Sequence, residues 1–414
     1  MSRVVRGFVL SCLGVFLCHA QAQALSEMDI LLDKLVDKGV LSSVEAGLIR
    51  QEIKETKEER DQEIAQDIVP EWSRNWRLKG ELRLRDEYRD RTANADFHRQ
   101  RIRLRLGMEG RVTDELKVEA RLATGSLTDP VSTNQTFDDT FSKKTFNLDL
   151  AYVEYAPSVA VVESLRLKGG IFENPFWTAS PLVWDEELGF AGASGQLEKD
   201  LGPVRAFLNA GAFPIDSDGF GTDNPSLWGG QAGLALKPFE SSDTPFLNQL
   251  KVKGAFAYYD YKNSAKNALV NTPSGNSAAV DDFNELNPSV EISSKVGALP
   301  VSAFGDWVHN ASVESDENGY HVGLKLGKAK RPWDLVEGWE AGYFIQRLEP
   351  DAAFDGFVDS DFGGGGTNHK GNVFWVKLAV LENSTFGVKY FDTKEVTGSK
   401  NHFDTVQMDW VTKF

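Results

Sequence analysis

The carboxyl-terminal residues of this chain strongly constrain its fold, because they alternate to the very end. The apolar or nearly apolar positions are Val406, Met408, Trp410, Thr412 and Phe414, and polar side chains lie between them except at Val411. Successive side chains of a strand point to opposite faces, so this segment predicts a strand with one apolar and one wet face. Such a pattern behind a secretion signal is typical of a barrel in an outer membrane.

The amino terminus has the pattern of a secretion signal. Arg3 and Arg6 give a basic start, residues 8–17 form a short apolar core, and Ala22-Gln-Ala24 is a small-residue cleavage site. The apolar core is too short to span a membrane. We therefore predict a signal peptide at residues 1–24.

Cysteine and charge exclude several classes of function. Cys12 and Cys18 both lie in the predicted signal, so the mature chain would have no disulfide or thiol chemistry. The alternative is a lipid-modified Cys18, although Leu17 stands where a small residue is expected. The formal net charge of −16 argues against nucleic acid as a partner.

Residues 25–70 differ from the rest of the chain. They are rich in Glu, Lys, Leu and Ile, contain no aromatic residue, and carry apolar side chains at helical spacing. Gly39 can end a first helix, and Ser42 or Ser43 can cap a second one. We predict a periplasmic helical segment that either oligomerises or contacts the cell wall, or else serves as a solvated spacer.

Residues 71–414 predict an all-β domain. Trp76-Leu78-Gly80-Leu82-Leu84 alternates with charged residues, and similar runs recur along the chain to give sixteen strands. Short connections such as Thr113-Asp114 alternate with long ones such as residues 125–144. Because an even count returns both ends to the periplasm, we predict a sixteen-stranded antiparallel transmembrane β-barrel with short periplasmic turns. Tryptophans near the short-turn rim fit an interfacial belt.

The third long loop, residues 173–187, is aromatic and twice interrupted by proline. Its acidic residues are Glu173, Asp185, Glu186 and Glu187. A loop this apolar is costly to expose, and a wide barrel offers its lumen as a place to pack. We interpret the loop as a constriction that carries an acidic cluster; the alternative is packing at the rim or against a neighbouring subunit.

A basic wall is predicted on the face opposite the leucines of the first strands. Its members are Arg83, Arg85, Arg101, Arg103, Arg105, Lys117, Arg121 and Arg166. If that face lines the lumen, the wall and the acidic loop would create a transverse field that selects ions. The alternative is that Glu81, Glu109 and Glu119 pair with these cations in a neutral structural network.

Other candidate sites are weak. Asp216, Asp218 and Asp223 alternate around glycines and form a calcium candidate without the glutamate that completes an EF-hand loop. The glycine run that follows Phe362 predicts a mobile loop tip. The histidines are scattered, and no nucleophile elbow or phosphate-binding loop occurs, so we predict no cofactor and no enzyme activity.

Several motifs resemble a known family. Arg101 to Gly110, Leu116 to Gly125, Ser132 to Thr136 and Leu182 to Asp185 are similar to the bacterial outer-membrane family named Putative porin, with general and phosphate-porin-like members. The resemblance runs from about Trp72 to Phe414 and implies a sixteen-stranded homotrimeric channel. The resemblance assigns no subunit-contact residues, and residues 132–136 are a separate candidate for a latch to a neighbouring subunit. Glu173 stands where the family carries a Lys, which puts an inherited anion preference in doubt.

The sequence therefore predicts an outer-membrane porin for passive diffusion of small hydrophilic solutes or ions. Its predicted partners are those solutes, outer-membrane lipid, copies of itself in a homotrimer, and peptidoglycan through residues 25–70. The alternative is a structural or adhesive barrel with a plugged lumen, anchored to the cell wall by its N-terminal helices. An enzyme embedded in the membrane is the third hypothesis.

Overall fold

The computed structural model describes residues 75–414, apart from 93–94, 139–141, 216–223, 265–274 and 278–281, together with scattered residues between 32 and 51. The predicted signal peptide, most of the helical segment and the calcium candidate lie outside the described residues. No helix among the described residues is long and apolar enough to cross a membrane.

The described part of the N-terminal segment is helical at residues 34–36 and 45–49. Ser42 caps the second helical stretch: its hydroxyl accepts from the Glu45 backbone N–H at 3.2 Å, and the Glu45 carboxylate accepts from the Ser42 N–H at 2.8 Å. This reciprocal pair is a capping box, which satisfies donors that a helix start leaves free. The predicted cap at Ser42 is therefore confirmed.

Residues 75–414 form one closed antiparallel sheet. Its strands are β1 (Trp76–Arg91), β2 (Phe97–Arg111), β3 (Leu116–Thr124), β4 (Gln135–Thr136), β5 (Phe146–Tyr155), β6 (Ser164–Glu173), β7 (Gly189–Leu201), β8 (Val204–Pro214), β9 (Ser226–Leu236), β10 (Lys251–Lys262), β11 (Phe283–Val296), β12 (Leu299–Asn310), β13 (Asn318–Gly327), β14 (Trp339–Leu348), β15 (His369–Leu381), β16 (Ser384–Glu395) and β17 (His402–Lys413). Two 3₁₀ turns, Asp355–Phe357 and Phe362–Gly364, and a single helical turn, Pro245–Asn248, lie in connections.

Sixteen of these strands are long and build the wall. The remaining strand, β4, has two residues and pairs with β2, as β3 does. Each long strand pairs with its neighbour in sequence, and β1 also pairs with β17, so the sheet has no free edge. A closed barrel satisfies every ladder group without water, which a membrane requires. The predicted fold and strand count are confirmed.

The last strand closes the barrel as its alternation predicts. Trp410 lies opposite Leu84, and the Phe414 N–H donates to the Gly80 carbonyl at 2.9 Å. The Phe414 ring occupies the space where a side chain at position 80 would be, since a Cβ built there would lie 2.1 Å from it. A larger residue at position 80 would therefore have to displace the terminal aromatic ring.

The two faces of the wall differ sharply. On β10, Phe256 and Tyr258 are 51% and 41% exposed, whereas Ala257 and Tyr259 are fully buried. The outward set is apolar along most strands, as a lipid-facing band requires. The inward set is charged on β1 to β3 and aromatic around β10, so the two sides of the lumen have different chemistry.

Candidate functional site

The β6–β7 loop, residues 174–188, lies inside its own barrel. Leu182, Val183 and Trp184 are each at most 2% exposed. The Trp184 ring packs edge-on against the inward-facing rings of Phe190 and Tyr259, with centroids 5.0 Å apart in both cases. The apolar composition of the loop is thus explained by burial against the aromatic side of the lumen rather than at the rim.

Local hydrogen bonds fix the first turn of this loop. The Asn174 side chain accepts from the Phe176 N–H at 2.9 Å, which is an Asx turn. Gln231 of β9 accepts from the Trp177 N–H at 2.8 Å and donates to the Trp177 carbonyl at 2.7 Å. The Phe176 ring fills the space beside Gly229, where a Cβ would come within 2.3 Å of it.

The other end of the loop reaches the opposite wall. The Glu187 carboxylate bonds to the guanidinium of Arg83 on β1 at 3.0 Å and to Arg103 on β2. Its second oxygen accepts from the Thr133 backbone N–H at 2.6 Å and from the Thr133 hydroxyl at 2.7 Å. Because one loop contacts both β10 and β1–β2, it crosses the lumen.

A second long connection also folds inward: the β14–β15 loop, residues 349–368. Phe354 and Val358 join the aromatic cluster around Trp184, and both are at most 2% exposed. The Asp185 N–H donates to the Phe357 carbonyl at 2.8 Å, and the Ser360 N–H donates to the Asp185 carboxylate at 2.8 Å. The two loops are therefore docked to each other inside the barrel.

The predicted mobile tip at the glycine run is wrong. Phe362 is 1% exposed and packs with Phe344, Val373 and Phe391 on the inner wall. Gly363 has a φ of 63° and lies against His369, where a Cβ would meet the imidazole at 2.2 Å. The glycines let the backbone turn tightly beneath a buried ring, and the aromatic residue before them was the signal for this packing.

The predicted acidic residues fall into three environments. Glu187 is buried, and although burial alone would raise its pKa, Arg83, Arg103 and Arg105 hold that pKa at about 2. Asp185 is buried without a cation, and burial together with the neighbouring Asp359 raises its pKa to about 8. Glu186 is exposed. Glu173 is 69% exposed and bonds to Arg121 at 2.7 Å, away from this cluster.

Two arginines of the predicted basic wall, Arg85 and Arg103, form direct ion pairs with carboxylates. Arg85 bonds to Asp361 of the β14–β15 loop at 2.8 Å and to Asp409 of β17 at 2.7 Å. Arg103 also bonds to Glu81. Asp361 is partly buried, with a side chain 22% exposed, and although burial alone would raise its pKa, Arg85, Lys389 and Arg83 hold that pKa below the ordinary value. Loop and wall are thus in contact at these residues and do not face each other across water.

The remaining cations of the wall have other partners. Lys117 is 3.3 Å from both Glu109 and Glu119, Arg121 bonds to Asp149 at 2.5 Å, and Arg166 bonds to Glu198 at 2.9 Å. Arg105 lies 3.7 Å from Glu187. Arg101 bonds only to the Ser132 hydroxyl, at 3.3 Å, among the described residues.

Sequence reasoning did not single out Asp361, Asp409 or Glu87, which complete the ion-pair network. Asp409 and Glu87 sit at inward positions of alternating strands, so the pattern contained that signal. Asp361 follows no periodic pattern and carried none. Ser132 and Thr133 are buried within their own barrel, and the contact of residues 132–136 with a neighbouring subunit stays a prediction. No described group of three or more His, Asp or Glu is arranged to hold a metal ion.

The docking of the two loops is expected to depend on pH through Asp185. A carboxyl whose pKa is raised in the folded protein binds a proton more tightly there, so its contribution to stability is complete below about pH 4 and is lost as the pH rises through about 8. We expect wild-type channel current to become noisier between pH 6 and pH 9. Asp185→Asn, which cannot ionise, should flatten that dependence; an unchanged dependence in single-channel recordings would contradict the assignment.

These features define a class of protein: a closed sixteen-stranded barrel of the outer membrane, with an apolar outside and a lumen that holds charged residues and two inward loops. The chain matches the family model described as Putative porin over residues 89–294 and 288–414. It belongs to that family, and it is a porin of the outer membrane. No curated protein sequence matches it significantly.

Solved structures of similar fold are also porins. OprB of Pseudomonas putida, in a high-pH structure, superposes with a TM-score of 0.55 at 12% identity, covering 83% of this chain and 95% of the other. OmpF of Salmonella typhi, in a complex with daunomycin, gives a TM-score of 0.48 at 10% identity, covering 82% and 97%. At these identities the OprB likeness supports the barrel fold and nothing finer.

Proposed function

We propose that the β6–β7 loop, secured by the β14–β15 loop, is the constriction of a channel through which small hydrophilic solutes and ions diffuse passively. The observation that carries this proposal is that the loop reaches from Tyr259 on β10 to Arg83 on β1 across the lumen. A loop anchored at both walls sets the size of the open passage, while the charged face of β1 to β3 keeps that passage wet.

The charge balance along β1 and β2 supports a preference for anions. Near the constriction, arginines and carboxylates pair closely. Toward the long-loop end, Glu87 bonds to Arg99 at 2.7 Å and lies 3.6 Å from Arg89, and Arg101 forms no ion pair among the described residues. Arg89 otherwise donates to the neutral Thr405 hydroxyl at 3.0 Å. The inner face of this end of β1 and β2 therefore has more cations than directly paired carboxylates, which favours anions there.

Purified protein in planar bilayers should give stepwise conductance, and a KCl gradient should give a reversal potential on the anion-selective side. Arg99→Gln combined with Arg101→Gln should move that potential toward cations, because it removes uncompensated charge. The matched control is Arg77→Gln with Arg111→Gln, which removes the same charge at the other ends of β1 and β2.

Two outcomes would overturn these proposals separately. Absence of stepwise conductance would favour the plugged, adhesive barrel, whereas equal reversal potentials for wild type and the Arg99 and Arg101 variant would remove only the assignment of selectivity. The homotrimer, the signal peptide at residues 1–24 and contact of residues 25–70 with the cell wall belong to the same proposal and rest on the sequence and the family resemblance.

A further inference from the structure

Three basic residues form a row across adjacent strands on the outside of the barrel. Arg347 of β14 lies opposite Lys370 of β15, and Lys370 lies opposite Lys394 of β16. They occupy the outward set, because the alternate residues Ile345, Phe374 and Tyr390 on the same strands are 37%, 51% and 40% exposed. The row is therefore on the face that meets lipid and not in the lumen.

Without a bound anion, the electrostatic energy of this row of basic residues is unfavourable. Like charges at directly opposed positions of a sheet repel each other, and Lys400 lies close enough to add to the repulsion on Lys370. Arg347 has one carboxylate partner, Glu349, at 3.0 Å. Neither Lys370 nor Lys394 forms an ion pair with any residue that the structure describes.

The position of the row indicates where its counter-ion would come from. It lies at the end of the barrel that carries the long loops, next to the β14–β15 loop, and this end faces the outer leaflet in bacterial barrels. On β16 the next outward residue toward the membrane centre is Asp392, which opposes Asp404 of the neighbouring β17. Because these carboxylates repel anions, a phosphate would bind at the basic row, which lies nearer the long-loop end than they do.

We propose that Arg347, Lys370 and Lys394 bind the phosphate groups of a phosphorylated lipid in the outer leaflet. The aromatic residues Tyr343, Phe374 and Tyr390 lie nearer the membrane centre on the same three strands. They occupy opposed positions and form part of the lipid-facing band. With its phosphate groups on the basic row and its acyl chains on these aromatic residues, one lipid would lie along β14 to β16. The negative charge of its headgroup would offset the repulsion within the row.

The test measures binding of bisphosphorylated lipid A to the purified protein in neutral detergent by native mass spectrometry. Lys370→Gln with Lys394→Gln should weaken binding roughly 30-fold, because two basic contacts to the headgroup are lost. The matched control, Lys328→Gln with Lys330→Gln, removes the same charge from an exposed short turn at the opposite end and should bind as wild type does.

Two further arms identify the source of the phosphate. Dephosphorylated lipid A should bind wild type as weakly as lipid A binds the double variant, and inorganic phosphate should not displace lipid A at equal concentration. Equal binding of lipid A by wild type and the double variant would overturn the proposal. Displacement by inorganic phosphate would also overturn it, because the row would then be a site for free anions.

Discussion

Replacing Glu187 with glutamine is expected to destabilise the barrel and to make the channel more selective for anions. Glu187 and its partners Arg83 and Arg103 each have side chains only 10% exposed, so the uncharged variant would leave the Arg83 guanidinium without its carboxylate partner and Arg103 with Glu81 alone. Removing one partner of a buried ion pair costs about 3–5 kcal/mol. Urea-induced unfolding should shift to a lower midpoint, and the reversal potential in a KCl gradient should move toward anions.

Glu186→Gln is the matched control, since it makes the same chemical change one residue earlier on the same loop at an exposed position. It should leave the unfolding midpoint near the wild-type value while changing selectivity only through the lost charge. If both variants lowered the midpoint equally, Glu187 would not be the contact that holds the loop to β1 and β2.

Trp184→Ala is expected to release the constriction and widen the channel. Trp184 is 2% exposed and its ring contacts Phe190, Tyr259, Tyr261 and Phe357. Truncating a buried aromatic residue to alanine typically costs about 3–5 kcal/mol. This loss falls on a loop and not on the closed sheet, so the barrel should remain folded while single-channel conductance rises and larger sugars enter in liposome-swelling assays.

Trp228→Ala removes the same ring from the outward face of β9, where the side chain is 50% exposed. It should change neither conductance nor the size limit for sugars. An unchanged size limit in the Trp184 variant would mean that the β6–β7 loop does not set the width of the passage.

Much of the wall could be predicted because each strand carries its own two-residue alternation. The run from Trp76 to Leu84 falls within β1, and the terminal run falls within β17 except for Phe414, which follows it. Leu84 of β1 and Trp410 of β17 are paired. β4 is too short for any period to mark it. The burial of the loop at residues 174–188 could also be predicted, because exposing the aromatic side chains of Phe176, Trp177 and Trp184 to water is unfavourable.

The partners inside the lumen could not be predicted in the same way. Arg85 and Asp361 are 276 residues apart in sequence, and Arg83 and Glu187 are 104 apart. Alternation places an arginine on the inner face but does not say which carboxylate a loop will bring to it. The β14–β15 loop was misjudged for the same reason, because glycines permit a mobile tip and a packed turn equally well.

By itself, the sequence determined the class of fold, since alternation to the final Phe414 allows a strand with one apolar face, and sixteen such strands allow closure. It also determined which faces are charged and apolar. Only the tertiary structure decided that the loop carboxylate Glu187 is paired with Arg83 and Arg103 and that a second loop holds the first in place. Local periodicity fixes the direction of a side chain, whereas its charge partner depends on how distant segments fill one enclosed volume.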